Sequence, residues 1–139
     1  QKNSLPRRQQ TQATEQAIAF HQDHEFIGPI RSGLNCWIPL SPSGGNYPGL
    51  EIWLKSPQKP LFSLSQSSSE RENISSQIQD SDLWRPCLEP GDLLIMTLFT
   101  VHRTYLPPHA DKRRFSYELR LIGTQDHGLT CSPLIERTL

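Results

Sequence analysis

The 139-residue chain has only three cysteines, Cys36, Cys87 and Cys131, set far apart and with no Cys-x-x-Cys pair. That scarcity excludes a disulfide framework and a cysteine-based structural zinc site, and makes free thiols in a reducing compartment, the cytoplasm, the expectation. Long apolar runs are missing too: the longest, Leu93 to Phe99, is interrupted by Thr97 and is too short to cross a bilayer. Charge of one sign is also lacking. Lys+Arg 14 against Asp+Glu 14 gives a formal net charge of +0, so nothing draws the chain to nucleic acid or to an anionic membrane. No apolar segment follows the charged start Gln1-Lys2-Asn3-Ser4-Leu5-Pro6-Arg7-Arg8, so it does not read as a signal peptide. A first residue other than Met fits a fragment or a trimmed chain. Hydrophobic content of 35% and a mean hydropathy of -0.55 are low for one domain of this length, so part of the chain is expected to be loop or tail.

What is present is a series of short strand signals bounded by Gly and Pro. Residues 1–14 are polar and Gln-rich and read as a flexible lead-in, followed by a short strand at Glu15 to Phe20. Leu34, Cys36, Ile38 and Leu40 fall on one face of a strand and Asn35, Trp37 and Pro39 on the other, with Pro39 marking an edge or a bulge. Ser41 to Gly49 is turn chemistry, and Leu50 to Leu54 is a second strand with Leu50, Ile52 and Leu54 expected inward. Leu61 to Leu64 suggests another short strand, and Ser65 to Asp82 a long polar loop, solvated or acting as an active-site lid. After the Glu89-Pro90-Gly91-Asp92 turn, Leu93 to Phe99 is a strand that Val101-His102 ends.

Arg113 to Ile122 is the clearest strand. One face carries Arg114, Ser116, Glu118 and Arg120, and the other Phe115, Tyr117, Leu119 and Leu121. Such a polar face is ordinarily a solvent-facing edge, but in a barrel enclosing polar ligands it points inward. From Gly123 onward the chain reads as a tail. These elements together predict an all-β antiparallel sandwich or barrel.

The candidate chemistry lies in Phe20-His21-Gln22-Asp23-His24-Glu25-Phe26. In an extended strand His21 and Asp23 share a face, which brings an imidazole and a carboxylate toward one point. His102 is the best-placed third donor, and two histidines with one carboxylate are the set that non-haem Fe(II) sites use. On a regular strand His24 points away from that pair, leaving it a supporting or substrate role. His109 and His127 fall in a proline-rich loop and in the tail and are expected to be exposed. Cys36 reads as a small core residue.

The ordered set Ala19-Phe20-His21-Gln22-Asp23, Asn35-Cys36-Trp37-Ile38-Pro39-Leu40, Pro48-Gly49-Leu50-Glu51-Ile52, Gly91-Asp92, His102-Arg103-Thr104 and Arg114-Phe115-Ser116 resembles the phytanoyl-CoA dioxygenase family over residues 15–123. The resemblance implies a double-stranded β-helix, a cupin-like jelly roll, that uses Fe(II), 2-oxoglutarate and O2 to hydroxylate a small organic substrate while 2-oxoglutarate is decarboxylated to succinate. It implies His21, Asp23 and His102 as iron ligands, His102 lying 79 positions after Asp23. Arg114, 12 positions after His102, would hold the far carboxylate of 2-oxoglutarate with Ser116 in support, and Trp37 and Thr104 would line that pocket. Arg113 is the alternative anchor, since adjacent strand residues face opposite ways and a bulge would exchange them.

The chain departs from the family in offering about twenty residues before His21, where relatives carry a helical region packed on the major sheet. Either the chain is a fragment, or it is a short variant that needs a homo-oligomer or a partner chain to cover exposed sheet. The competing readings are a non-catalytic cupin-type binding domain and an inactive fragment of a larger oxygenase.

Overall fold

Two antiparallel sheets facing one another make up the computed structural model, which describes residues 17–27, 33–108, 112–124, 128–131 and 135–138. The elements in chain order are α1 (His24–Ile27), β1 (Gly33–Pro39), β2 (Gly49–Trp53), α2 (Ser68–Ser76), β3 (Leu83–Trp84), β4 (Leu94–Thr97), β5 (His102–Tyr105), β6 (Phe115–Thr124), β7 (Gly128–Cys131) and β8 (Ile135–Thr138). The major sheet runs β4-β1-β6-β7 with β8 also paired to β6, and the minor sheet runs β3-β2-β5. This is the expected all-β jelly roll. The lead-in at 1–14 and the histidines at 109 and 127 lie outside the described residues.

Register determines which side chains meet inside. Asn35 pairs with Arg120, Trp37 with Glu118 and Pro39 with Ser116 across β1 and β6, and Asn35 with Met96 and Trp37 with Leu94 across β1 and β4. All of these residues are buried, so the polar face of β6 points into the roll and is not a solvent-facing edge. Trp37, Leu50, Ile52, Leu94 and Met96 fill the space between the sheets, each full burial contributing roughly 1.5–3 kcal/mol. Pro39 is paired with β6 alone, beyond the end of β4, where its missing N–H costs no ladder bond. The turn before β2 depends on Gly44, whose φ of 84° favours glycine and where an added Cβ would sit 2.1 Å from the Pro86 carbonyl.

Four expectations are corrected. Leu54 is 66% exposed, because β2 stops at Trp53 and the chain turns away there. Leu61 to Leu64 is not a strand: Phe62 alone is buried, in a cluster with Phe20 and Val101. The polar stretch 65–82 contains α2, begun by a capping box in which the Ser67 hydroxyl accepts from the Glu70 N–H while Glu70 accepts from the Ser67 N–H. Ser67-Ser68-Ser69-Glu70 carries that signal in plain sequence. Finally, residues beyond Gly123 are not a tail, since β6 runs to Thr124 and both β7 and β8 pair with it. Among the described residues no helix is long and apolar enough to cross a membrane.

Candidate metal centre

His21 and His102 are held side by side by the backbone. The N–H of each donates to the carbonyl of the other at 3.0 and 3.1 Å, an isolated bridge that adds the 18–21 segment to the free edge of β5. Their ring centroids lie 4.3 Å apart. Asp23 does not continue a strand, as the spacing argument assumed. It sits in the turn that opens α1, where the Phe26 N–H donates to its carbonyl at 3.1 Å, and the turn swings its carboxylate back toward the imidazoles.

The ligating atoms of His21, Asp23 and His102 all lie within 4.8 Å of one another, and all three residues are buried. Nδ1 of His21 is 2.9 Å from the Ala19 carbonyl, and Nδ1 of His102 is 2.9 Å from the Thr100 carbonyl. A carbonyl only accepts, so each Nδ1 carries the proton and each Nε2 turns its lone pair to the common point. His102 Nε2 is 4.0 Å from Asp23 Oδ2.

The Asp23 carboxylate is fixed by two residues that sequence reading did not single out. Arg120 donates to Oδ1 at 2.9 Å and Asn35 donates to Oδ2. Burial alone would push this carboxyl up, but His102, Arg120, His21 and the Asn35 hydrogen bond outweigh it and hold the group at about 2. Asp23 is thus an anion throughout the neutral range. Both partners lie on inward faces of strands recognisable in the sequence; only the β1–β6 register, which pairs Asn35 with Arg120, brings them to the same carboxylate. Arg120 also donates to Glu118 at 3.0 Å.

Arg114 enters the roll and Arg113 is exposed, which removes the ambiguity of direction. Arg114 is 1% exposed, donates from Nη1 to the Gly49 carbonyl at 2.6 Å, and lies 5.0 Å from the centre of the Trp37 ring. Among the described residues it has no ion pair, and its Nε, the Ser116 hydroxyl and the Trp37 indole nitrogen have no hydrogen-bond partner. Burial pulls its guanidinium down to about 9, against the opposing influence of Glu118. Thr104 accepts from the Ile18 N–H at 3.2 Å. Arg114, Glu118, Thr104, His21 and His102 border one cavity of about 20 Å³.

His24 stands apart from this centre. Its ring lies against Phe99 with centroids 5.3 Å apart, and burial lowers its pKa below the usual value. Cys36 is buried and free, as expected of a core residue.

A buried cation with bare donors, beside two imidazoles and a carboxylate that converge on one point, fits a divalent metal with an acidic chelator. No family model and no curated protein matches the chain. Solved structures do. EvdO2 from Micromonospora carbonacea var. aurantiaca is 18% identical with a TM-score of 0.57, covering 93% of this chain and 51% of that one. Its complex with 2-oxoglutarate is 19% identical with a TM-score of 0.58, covering 94% and 52%. EctD from S. alaskensis, solved with 2-oxoglutarate and 5-hydroxyectoine, is 11% identical with a TM-score of 0.56, covering 84% and 40%. The class defined is therefore a cupin-type jelly roll with a buried His-x-Asp…His cluster, and the chain spans about half the length of the EvdO2 chain. These likenesses are of fold, and the finer resemblance to phytanoyl-CoA dioxygenases rests on the motifs.

Proposed function

We propose that this chain is the core of an Fe(II)- and 2-oxoglutarate-dependent oxygenase that hydroxylates a small organic molecule. The observation that carries the reading is the buried Arg114, without an ion pair among the described residues, sharing one cavity with His21 and His102 of the metal cluster. Nε2 of His21, Nε2 of His102 and the Asp23 carboxylate would hold the iron and leave it open to an oxo acid and dioxygen. The Arg114 fork would take the far carboxylate through two parallel charge-assisted hydrogen bonds, and the Ser116 hydroxyl would add a third. Trp37 and Thr104 would wall the cosubstrate and exclude water. Iron so bound supplies the oxidative decarboxylation of 2-oxoglutarate to succinate and CO2 coupled to hydroxylation of a C–H bond. The motifs that resemble phytanoyl-CoA dioxygenases support this reading, as do the complexes of EvdO2 and EctD with 2-oxoglutarate.

The cavity favours a second reading. About 20 Å³ admits a water and not an oxo acid. A cavity of that size suits a metal-binding module without turnover, whereas the oxygenase reading requires 2-oxoglutarate to reach Arg114, with a larger hollow of about 410 Å³ adjoining at Ile18, Arg103 and Thr104. Purified protein given Fe(II), ascorbate and 2-oxoglutarate decides between them. Slow release of succinate without a prime substrate is expected. Calorimetry showing neither metal nor 2-oxoglutarate binding would refute the oxygenase reading, and metal binding that 2-oxoglutarate does not alter would select the module.

A further inference from the structure

The turn that carries His21 and Asp23 is tied to α2 by an ion pair between the buried Glu25 carboxylate and the partly exposed Arg71. Glu25 lies two residues beyond Asp23 with its side chain 0% exposed. Its Oε1 accepts the Gln22 N–H at 3.1 Å, and its Oε2 accepts from Arg71 of α2. Arg71 also donates to the Ser63 carbonyl and lies 5.6 Å from the centre of the Phe62 ring. Between the two metal-binding side chains, Gln22 uses its whole amide. Its Nε2 donates to the Lys59 and Phe99 carbonyls at 3.0 and 2.6 Å, and its Oε1 accepts from the Leu61 and Phe62 N–H groups at 2.7 and 3.2 Å. Gln22 thus fastens the metal-binding turn to the 59–62 backbone, and Arg71 fastens it to α2.

α2 has little else to hold it. Nine residues form a marginal helix alone, none of them is buried, and among the described residues Ile74 is its one hydrophobic side chain packed on the Phe62 cluster, with Ile78 just beyond its end. We propose that Arg71 is a positioning residue for the metal centre, and that docking of α2 through the Arg71–Glu25 pair sets the metal affinity of His21, Asp23 and His102. The proposal rests on the metal reading above. With Arg71 removed, Glu25 keeps a buried carboxylate with no cation, which favours a rearranged turn in which that carboxylate reaches water. The Asp23 oxygens then leave the common point. Coupling of this kind is reciprocal, so metal at the centre must also tighten the docking of α2.

The test uses Co(II), whose d–d spectrum reports ligand geometry, with the full chain well below its unfolding midpoint. Arg71→Ala is expected to bind Co(II) about 10–100-fold more weakly than wild type, the usual cost of losing a partner behind a metal ligand, and with a changed d–d band. Co(II) should slow amide exchange across residues 68–77 in wild type and not in Arg71→Ala. The double variant Arg71→Met with Glu25→Gln, which leaves no charge buried, should recover most of the affinity but not the metal-induced slowing of exchange across residues 68–77, and that exchange readout carries the test if Arg71→Ala does not fold. Wild-type affinity with an unchanged band in Arg71→Ala, or Co(II)-slowed exchange across residues 68–77 in the double variant, would overturn the proposal and leave the metal reading standing. Wild type that does not bind Co(II) would remove both.

Discussion

Replacing Arg114 with Met separates what this residue does for the fold from what it does for a ligand. The guanidinium is 1% exposed, and among the described residues it has one hydrogen bond, one ring contact and no ion pair. Burial of a cation without a carboxylate partner is a standing cost, visible in a guanidinium pulled down to about 9. The sign follows: a base whose folded pKa is depressed is least stable where the buried form is charged, below about 9, and the whole neutral range lies there. Met keeps an unbranched chain of similar volume over Trp37 and removes the charge. By analogy with buried ionic groups exchanged for apolar ones, the apo protein should gain about 1–4 kcal/mol, or roughly 4–15 °C in Tm for a chain of this length. The ligand response should move the other way. With Co(II) present and 2-oxoglutarate at a hundred times its Kd, wild type should gain about 2.7 kcal/mol and Arg114→Met nothing. Differential scanning fluorimetry with and without 2-oxoglutarate measures both shifts, and Arg113→Met, at an exposed position, should change neither beyond about 0.5 kcal/mol. An Arg114→Met protein that is less stable than wild type and still stabilised by 2-oxoglutarate would refute the argument.

Further outcomes follow from the same geometry. His21→Ala, Asp23→Ala and His102→Ala should each abolish Co(II) binding by calorimetry, while His24→Ala, whose ring lies against Phe99, should leave it measurable. Because Asp23 is held at about 2 against an ordinary 3.8, its contribution of about 2 kcal/mol is full above pH 4 and is lost as pH falls through 2. Arg120→Met should move the acid-unfolding midpoint upward, followed by circular dichroism. Ser67→Ala removes the α2 cap and should cost about 1 kcal/mol in urea unfolding. The outer face of the major sheet should drive self-association, so wild type should exceed monomer mass in light scattering and Ile95→Lys should return it to monomer.

The strands that could be read from the sequence were those whose alternation is enforced on one face. β1, β2 and β6 obey that condition, and sequence leaves the direction of β6 open only because a polar face has two physical explanations. Leu54 shows the limit of alternation, which gives the face of a residue but not the place where a strand stops. α2 was hidden for a different reason: its residues are polar all round, so no apolar stripe marks it, and only the Ser67–Glu70 cap announces it. At the centre, His21, Asp23 and His102 could be found by residue type and motif order, although a turn, and not the strand spacing, brings Asp23 to the imidazoles. Asn35, Arg120, Glu25 and Arg71 could not, because each matters through a partner that only register or docking supplies.

The arrangement of faces carries one more consequence. An antiparallel sheet with one solvated face normally turns its apolar side inward, yet β6 turns Arg114, Ser116, Glu118 and Arg120 inward and Phe115, Tyr117, Leu119 and Leu121 outward. Across the same outer face Leu34 is 38% exposed, Leu93 53% and Ile95 55%. Among the described residues, hydrophobic burial between the sheets is accordingly thin, resting on a cluster of five residues around Trp37 and Leu50, and the interior polar groups offset one another only in part: Asp23 and Glu118 are joined through Arg120, while Arg114 has Glu118 nearby but no ion pair. Such an interior is a poor source of stability and a good receptor for charged ligands. A divalent cation would be held by the two imidazoles and the Asp23 carboxylate, an anion would give the Arg114 guanidinium a counter-charge, and cover over the outer face would add the apolar burial that the inside forgoes. Stability, metal occupancy and association should therefore rise together in this chain, each making the next more favourable.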